Sequence, residues 1–305
     1  MKKTKLFLLL VASLLFLSSC SFPGLASNNS DDTIGITGGI TSETQILAGI
    51  VSGMIEHYTD QKTTIINNLA TTTINHQAII SGAASISAAR YTGTDLTTTL
   101  GLPAEKDPAQ AFKTVKREFQ KRYHQTWFKS YGFDNTYVFL VRKDTAQKYN
   151  LKKVSDLKNV ADKLKAGVDT AWITREGDGY DGFKKTYGFE FSSILPMQIG
   201  LVYDAVEAGK MDIVLGYSTD GRIASYDLVM LEDDLHFFPP YDAAPIATDE
   251  VLQKNPELRP ILKKLSGQIS TRKMQQLNYR ADNDLVEPSV VAEEFLKEHH
   301  YFEGK

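Results

Sequence analysis

Cysteine is almost missing from this chain of 305 residues: there is one, Cys20. A lone thiol cannot close an internal disulfide or supply a multi-thiolate zinc site, so both ways of stapling a fold are excluded. Tryptophan is scarce as well, at 2 against 14 tyrosines. After the N-terminal segment no apolar run is long enough to span a membrane, so the body reads as soluble. No basic tract is present and the formal net charge is only −3, which removes the electrostatic footprint of a nucleic-acid binder. His57, His76, His124, His236, His299 and His300 show no H-E-x-x-H or other metal spacing. There is no G-x-S-x-G elbow and no Walker sequence, and Gly35 to Gly39 is too irregular for a dinucleotide fingerprint. Asp233-Asp234 reads as a solvated turn rather than a catalytic dyad. No catalytic residue, metal or cofactor is assigned.

What is present begins at the N-terminus. Lys2, Lys3 and Lys5 form a basic head, and Leu6 to Leu17 is an uncharged apolar run. With the small residues that follow, this is the pattern of a signal peptide over residues 1–19. The run is shorter than the roughly 20 apolar residues of a spanning helix. Leu17-Ser18-Ser19-Cys20 resembles the bacterial lipobox, in which the cysteine is acylated and becomes the mature N-terminus. Acyl chains anchor a protein through about 0.8 kcal/mol per buried methylene. Residues 20–32 continue as a Ser-, Asn- and Asp-rich tether without apolar period. The expectation is a lipid-anchored protein on the extracytoplasmic face of a bacterial membrane, folded from about Thr33 onward.

Strands and helices then alternate. Thr33–Thr37, Thr63–Asn67 and Ala84–Ala89 read as strands, separated by helices. Ser42 to Gln45 has the capping-box pattern, followed by Ile46, Leu47, Ile50, Val51, Met54 and Ile55 at helical spacing. Val138–Lys143, Ala166–Asp169, Met211–Tyr217 and Tyr226–Leu231 read as further strands, and 154–164 and 199–208 as helices. Helices are expected near 248–253, 257–265, 271–279 and 289–298. The alternation predicts α/β architecture with mostly parallel strands. Two irregular passages, around 131–137 and 238–245, read as crossings between two lobes. Residues 33–136 and 242–305 then form lobe I, residues 137–241 form lobe II, and a ligand cleft lies between them.

Four tyrosines fall at strand ends or crossings: Tyr91, Tyr137, Tyr217 and Tyr241. Facing rings can enclose a quaternary ammonium, which has no N–H to donate and is held by the negative faces of aromatic rings. The segments Arg90-Tyr-Thr-Gly-Thr94, Tyr131-Gly-Phe-Asp-Asn-Thr-Tyr137, Pro196 to Ala205, Tyr217 to Ile223 and Phe237-Phe-Pro-Pro-Tyr-Asp242 carry a family resemblance. They resemble the ProX/OpuC-type substrate-binding lipoproteins of osmoprotectant ABC importers, over nearly the whole mature chain and in the same order. The resemblance implies a two-lobed type II periplasmic-binding-protein fold. It implies glycine betaine, carnitine or choline as ligand, and permease subunits with a separate ATPase as partners of a monomeric protein. It places the cage tyrosines on Tyr91, Tyr137, Tyr217 and Tyr241.

Thr94 lies where relatives set a side chain near the ligand's polar end. A hydroxyl there can donate to a carboxylate, whereas an aspartate would repel it, so Thr94 points to a zwitterion. Two roles are open to Arg175: a bidentate contact with a ligand carboxylate, or a surface pair with Glu176. Arg90 is read as bracing its loop. Relatives often carry Gln or Lys near Gly38 and Gly39. Here Gly39, with the backbone N–H groups of the helix start, takes that place. Asn135 and Gln198 are polar positions open equally to ordering the site and to packing.

Three function classes remain distinguishable. A binding protein without chemistry of its own agrees with the missing nucleotide motif, the energy coming from an ATPase elsewhere. Within that class, another trimethylammonium solute such as ergothioneine is the alternative ligand. A lipid-anchored enzyme acting on choline-like compounds needs a nucleophile or metal that the sequence does not offer. A sensor or surface-interaction protein on the same fold would bind no small cation.

Overall fold

A computed structural model describes residues 33–300 except Glu176. The signal peptide, Cys20, the tether and the proposed pairing partner Glu176 lie outside the described residues. Ten strands form two five-stranded sheets. The first has the order β2-β1-β3-β10-β4, with β1 Thr33–Thr37, β2 Lys62–Ile66, β3 Ile86–Tyr91, β4 Gln125–Trp127 and β10 Ala243–Thr248. The second has the order β7-β6-β8-β5-β9, with β5 Tyr137–Arg142, β6 Lys165–Asp169, β7 Ser193–Met197, β8 Ile213–Tyr217 and β9 Leu228–Met230. Helices flank both sheets, giving two α/β lobes.

The expectation of mostly parallel strands holds only for part of each sheet. β2-β1-β3 and β7-β6-β8 are parallel, but β10 and β5 pair antiparallel on both sides. The reason is connectivity. β5 and β10 are the strands that follow the two passages between sheets. A strand starting at the cleft must run opposite to strands whose carboxyl ends point there. β10 also begins inside the passage that the sequence reads as irregular.

The first long helix, Ser42–Tyr58, buries Ile46, Leu47, Ile50, Val51, Met54 and Ile55 against the first sheet and the Pro288–Glu298 helix. Burying one such side chain contributes about 1.5–3 kcal/mol. Its N-cap is Thr41, whose Oγ1 accepts from Thr44 N at 3.3 Å; Ser42, the expected cap, donates instead to Asp282. Residues 154–164 are short 3-10 turns rather than a helix. No element is read from sequence between 95 and 126, yet Pro108–Tyr123 is a helix. Its start is signalled by Asp107-Pro108: Asp107 Oδ1 accepts from Gln110 N at 2.8 Å, and proline sits in the first turn. The second lobe packs around Phe139, Trp172, Phe183, Phe191, Phe237 and Phe238. Among the described residues no helix is long and apolar enough to cross a membrane.

Candidate ligand-binding site

The two passages between the sheets lie side by side. Asp134 and Asp242 form an antiparallel bridge, and Asn135 N donates to Tyr241 O at 3.2 Å. Thr92 clamps the second passage from lobe I, its N–H to Asp242 O at 3.2 Å and its hydroxyl to Pro240 O at 3.1 Å. Gly93 permits this approach, because a Cβ there would stand 2.6 Å from Pro240 O. Asp134 Oδ1 accepts from Tyr241 N at 2.6 Å. Burial, with Asp242 and Glu43 adding repulsion, raises the Asp134 carboxyl to about 7.

Beside these passages is a cavity of about 290 Å³. That is near the lower end of small-molecule pockets, about 300 Å³. All seven residues expected to contact ligand line it: Gly39, Tyr91, Thr94, Tyr137, Arg175, Tyr217 and Tyr241. They come from both lobes and both passages. Tyr91 ends β3, Tyr217 ends β8, Tyr137 opens β5, and Tyr241 sits two residues before β10.

Each tyrosine is fixed from behind. Tyr137 is the register partner of Tyr217, with ring centroids 5.1 Å apart. The buried Tyr203 hydroxyl accepts from Tyr217 N at 2.7 Å. Gly216 makes room for it, since a Cβ would meet the Tyr203 ring at 2.8 Å. Tyr91 Oη donates to Glu43 Oε1 at 2.6 Å, Tyr137 Oη to Asp169 Oδ2 at 2.6 Å, and Tyr241 Oη to Asp178 Oδ2 at 3.3 Å. Burial first, and the carboxylate second, push these three hydroxyls above the ordinary tyrosine range. They are therefore neutral donors.

The polar residues separate by role. Among the described residues no group takes up the Thr94 hydroxyl, while its carbonyl accepts from Thr97 Oγ1 at 3.3 Å. Arg175 lies over the Tyr137 ring, its guanidinium carbon 5.3 Å from the centroid, and pairs with Asp178 at 3.3 Å. Arg90 is buried and forms an ion pair with Asp95, with its Nε 2.9 Å from Asp95 Oδ2. It thus ties the Tyr91–Thr99 loop together. The Gly39 carbonyl already accepts from Asn68 N at 3.2 Å and from Gln45 Nε2 at 3.3 Å. A side chain at Gly39 would meet Thr44 Oγ1 at 2.6 Å, and one at Gly38 would collide with Asn67. A side chain at either position would therefore have to displace Thr44 or Asn67. Asn135 lines the cavity and donates to Glu43 at 2.9 Å. Gln198 does not line it; its carbonyl accepts from Leu201 N at 2.9 Å.

Sequence reasoning passes over Glu43, Asp169, Asp178, Asp134 and Tyr203. Asp134 and Tyr203 lie inside the motif segments but bear no local sign of their roles, and the phenols that Glu43, Asp169 and Asp178 meet are 48, 32 and 63 residues away in the chain. For Glu43 the one sequence hint is an acidic residue in a helix's first turn.

The family model described as the substrate binding domain of ABC-type glycine betaine transport system matches residues 32–298. The carnitine transport binding protein OpuCC of Listeria monocytogenes is 57% identical over 297 residues, covering 97% of this chain and 96% of the relative. The ergothioneine transport permease/ergothioneine binding protein EgtU of Helicobacter pylori (strain G27) is 34% identical over 259 residues, covering 84% of this chain and 46% of that longer protein. A crystal structure described as a glycine betaine/carnitine/choline ABC transporter superposes with a TM-score of 0.86 at 54% identity, covering 88% of this chain and all of the other. With the two-lobed fold and a cleft between the lobes, this chain belongs to the family of substrate-binding domains of ABC-type glycine betaine transport systems.

Proposed function

We propose that the protein captures zwitterionic trimethylammonium solutes, carnitine and glycine betaine above all, with choline as a further ligand. The observation that carries this reading is a cavity ringed by Tyr91, Tyr137, Tyr217 and Tyr241. The rings face a cation that cannot hydrogen-bond, at about 2 kcal/mol or more for a desolvated contact. Thr94 and Arg175, on the same wall system, meet the carboxylate of a zwitterion. Arg175 must then release its place over Tyr137 when the ligand's cation arrives. The likeness to a protein named for carnitine transport supports the ligand class.

The lobes close on the solute about the two passages, with the division 33–136 plus 242–305 against 137–241. Sheet membership supports this division. As a substrate-binding protein of an ABC importer it works outside the cytoplasmic membrane and serves permease subunits; the family is one of transport, not of enzymes. Leu17-Ser18-Ser19-Cys20 supports lipid anchoring through Cys20. Loss of acyl labelling in Cys20→Ala tests the anchor.

A second reading, ergothioneine, is favoured by the likeness to EgtU. A thermal-shift panel of carnitine, glycine betaine, choline and ergothioneine separates the two, because a ligand of the folded state raises apparent stability by mass action. Shifts with carnitine and glycine betaine support the proposal. A shift with ergothioneine alone replaces it by the second reading, and no shift with any of the four overturns both.

A further inference from the structure

Three of the four cavity tyrosines donate a hydrogen bond to a carboxylate: Tyr91 to Glu43 and Tyr137 to Asp169 at 2.6 Å each, and Tyr241 to Asp178 at a longer 3.3 Å. None of these carboxylates lines the cavity. Glu43 is 4% exposed and Asp169 8%. Burying a carboxylate is costly unless it is well satisfied, so its repeated placement behind aromatic rings needs a reason. Packing alone would be served by a neutral acceptor. We infer that Glu43 and Asp169, each 2.6 Å from its phenol, are positioning residues that act through Tyr91 and Tyr137, fixing the rings and enriching their negative faces so that the cage favours a cation over a neutral group of the same shape. Asp178, 3.3 Å from Tyr241 and paired with Arg175, is left out of this role.

The physical chain is short. A phenol donating to an anion makes a charge-assisted hydrogen bond, shorter and stronger than a neutral one. Part of the O–H bonding density returns to the oxygen and through it to the ring. A cation over the ring face is held by electrostatic attraction to that density. The arrangement also resolves a conflict for a zwitterionic ligand. A carboxylate in the cavity would attract the ammonium and repel the ligand's own carboxylate. Behind the ring, its charge reaches the cation through the phenol and does not touch the ligand's acid group.

Glu43 carries the feature furthest. Among the described residues it forms no ion pair; Tyr91, Asn135 Nδ2 at 2.9 Å and Asn278 Nδ2 at 3.3 Å satisfy it. Asn278 also donates to Thr219 O at 2.9 Å, two residues past Tyr217. The same carboxylate thus holds a cage ring, a crossing strand and, through Asn278, a loop of the second lobe. The raised Tyr91, Tyr137 and Tyr241 hydroxyls agree with protonated donors facing anionic acceptors.

The inference rests on the cage reading above, and the test separates the two. Affinities are measured for glycine betaine and for 3,3-dimethylbutanoate, its isostere with carbon in place of the quaternary nitrogen, the latter by competition. The proteins are wild type, Asp169→Asn, Tyr137→Phe and the double variant. Asp169→Asn is expected to weaken glycine betaine about 3- to 10-fold and leave the isostere within about twofold; in the Tyr137→Phe background it adds less than about twofold. Equal losses for both ligands, no loss for either, or an undiminished loss in the phenylalanine background overturns the inference. Glu43→Gln repeats the test at Tyr91 if the Asp169 variant does not fold. Wild-type protein that binds no quaternary ammonium removes the cage reading itself.

Discussion

Tyr137 and Tyr217 are direct partners in the antiparallel register of β5 and β8, and their rings lie 5.1 Å apart at a tilt of 43°. One residue opens its strand and the other closes its own, so both rings emerge at the sheet edge facing the cavity. Tyr91 and Ala243 stand in the same relation in the first lobe, and Tyr241 precedes Ala243 by two residues. The gathering of the four rings at one cavity thus follows from where the chain crosses between sheets.

Removing one ring should cost what a cation–π contact supplies. Tyr91→Ala and Tyr217→Ala are each expected to weaken carnitine or glycine betaine by about 1–2 kcal/mol or more. Calorimetric titration checks this; unchanged affinity in both variants removes the cage.

Thr94 is proposed to read the other end of the ligand. Thr94→Asp places a negative charge where a carboxylate is expected, and should weaken carnitine and glycine betaine while sparing choline. Equal losses for all three, measured in parallel titrations, would mean that Thr94 does not meet the carboxylate.

Asp134 predicts a pH dependence of stability. Its folded-state carboxyl is raised to about 7, above the value of about 4 for an unfolded chain. Between these values the folded state binds the extra proton, so stability falls as pH rises from about 4 to about 7. Above that range the buried anion remains as a fixed cost. Asp134→Asn keeps an acceptor for Tyr241 N and should remove on the order of 1–3 kcal/mol of this slope. Urea unfolding at pH 5 and pH 8 measures it; parallel pH profiles for the two proteins would contradict the assignment.

Gly216 is needed by the Tyr203 ring beneath it. Gly216→Ala forces Tyr203 aside and releases Tyr217 N from its acceptor. The expected cost is about 1–3 kcal/mol in stability, together with weaker ligand binding. Chemical denaturation and titration of the same variant check both parts.

Much of this was legible in the sequence. The alternating α/β order and two passages between sheets follow from local pattern, and the motifs single out the four tyrosines that line one cavity. Three features were not. The antiparallel placement of β5 and β10 depends on which way a crossing strand must run, which no local window contains. The helix Pro108–Tyr123 is passed over although Ala111, Val115, Phe119 and Tyr123 recur at four-residue spacing behind the Asp107-Pro108 start, because most of its other positions are charged or polar. Glu43, Asp169 and Asp178 meet their phenols across 48, 32 and 63 residues of chain, so only the folded state brings them together.

The most direct measurement is the structure of the protein crystallised with carnitine. The quaternary nitrogen is expected within about 6 Å of the ring centroids of Tyr91, Tyr137, Tyr217 and Tyr241, with the carboxylate toward Thr94 and Arg175. A carnitine bound with its nitrogen away from these rings would contradict the account.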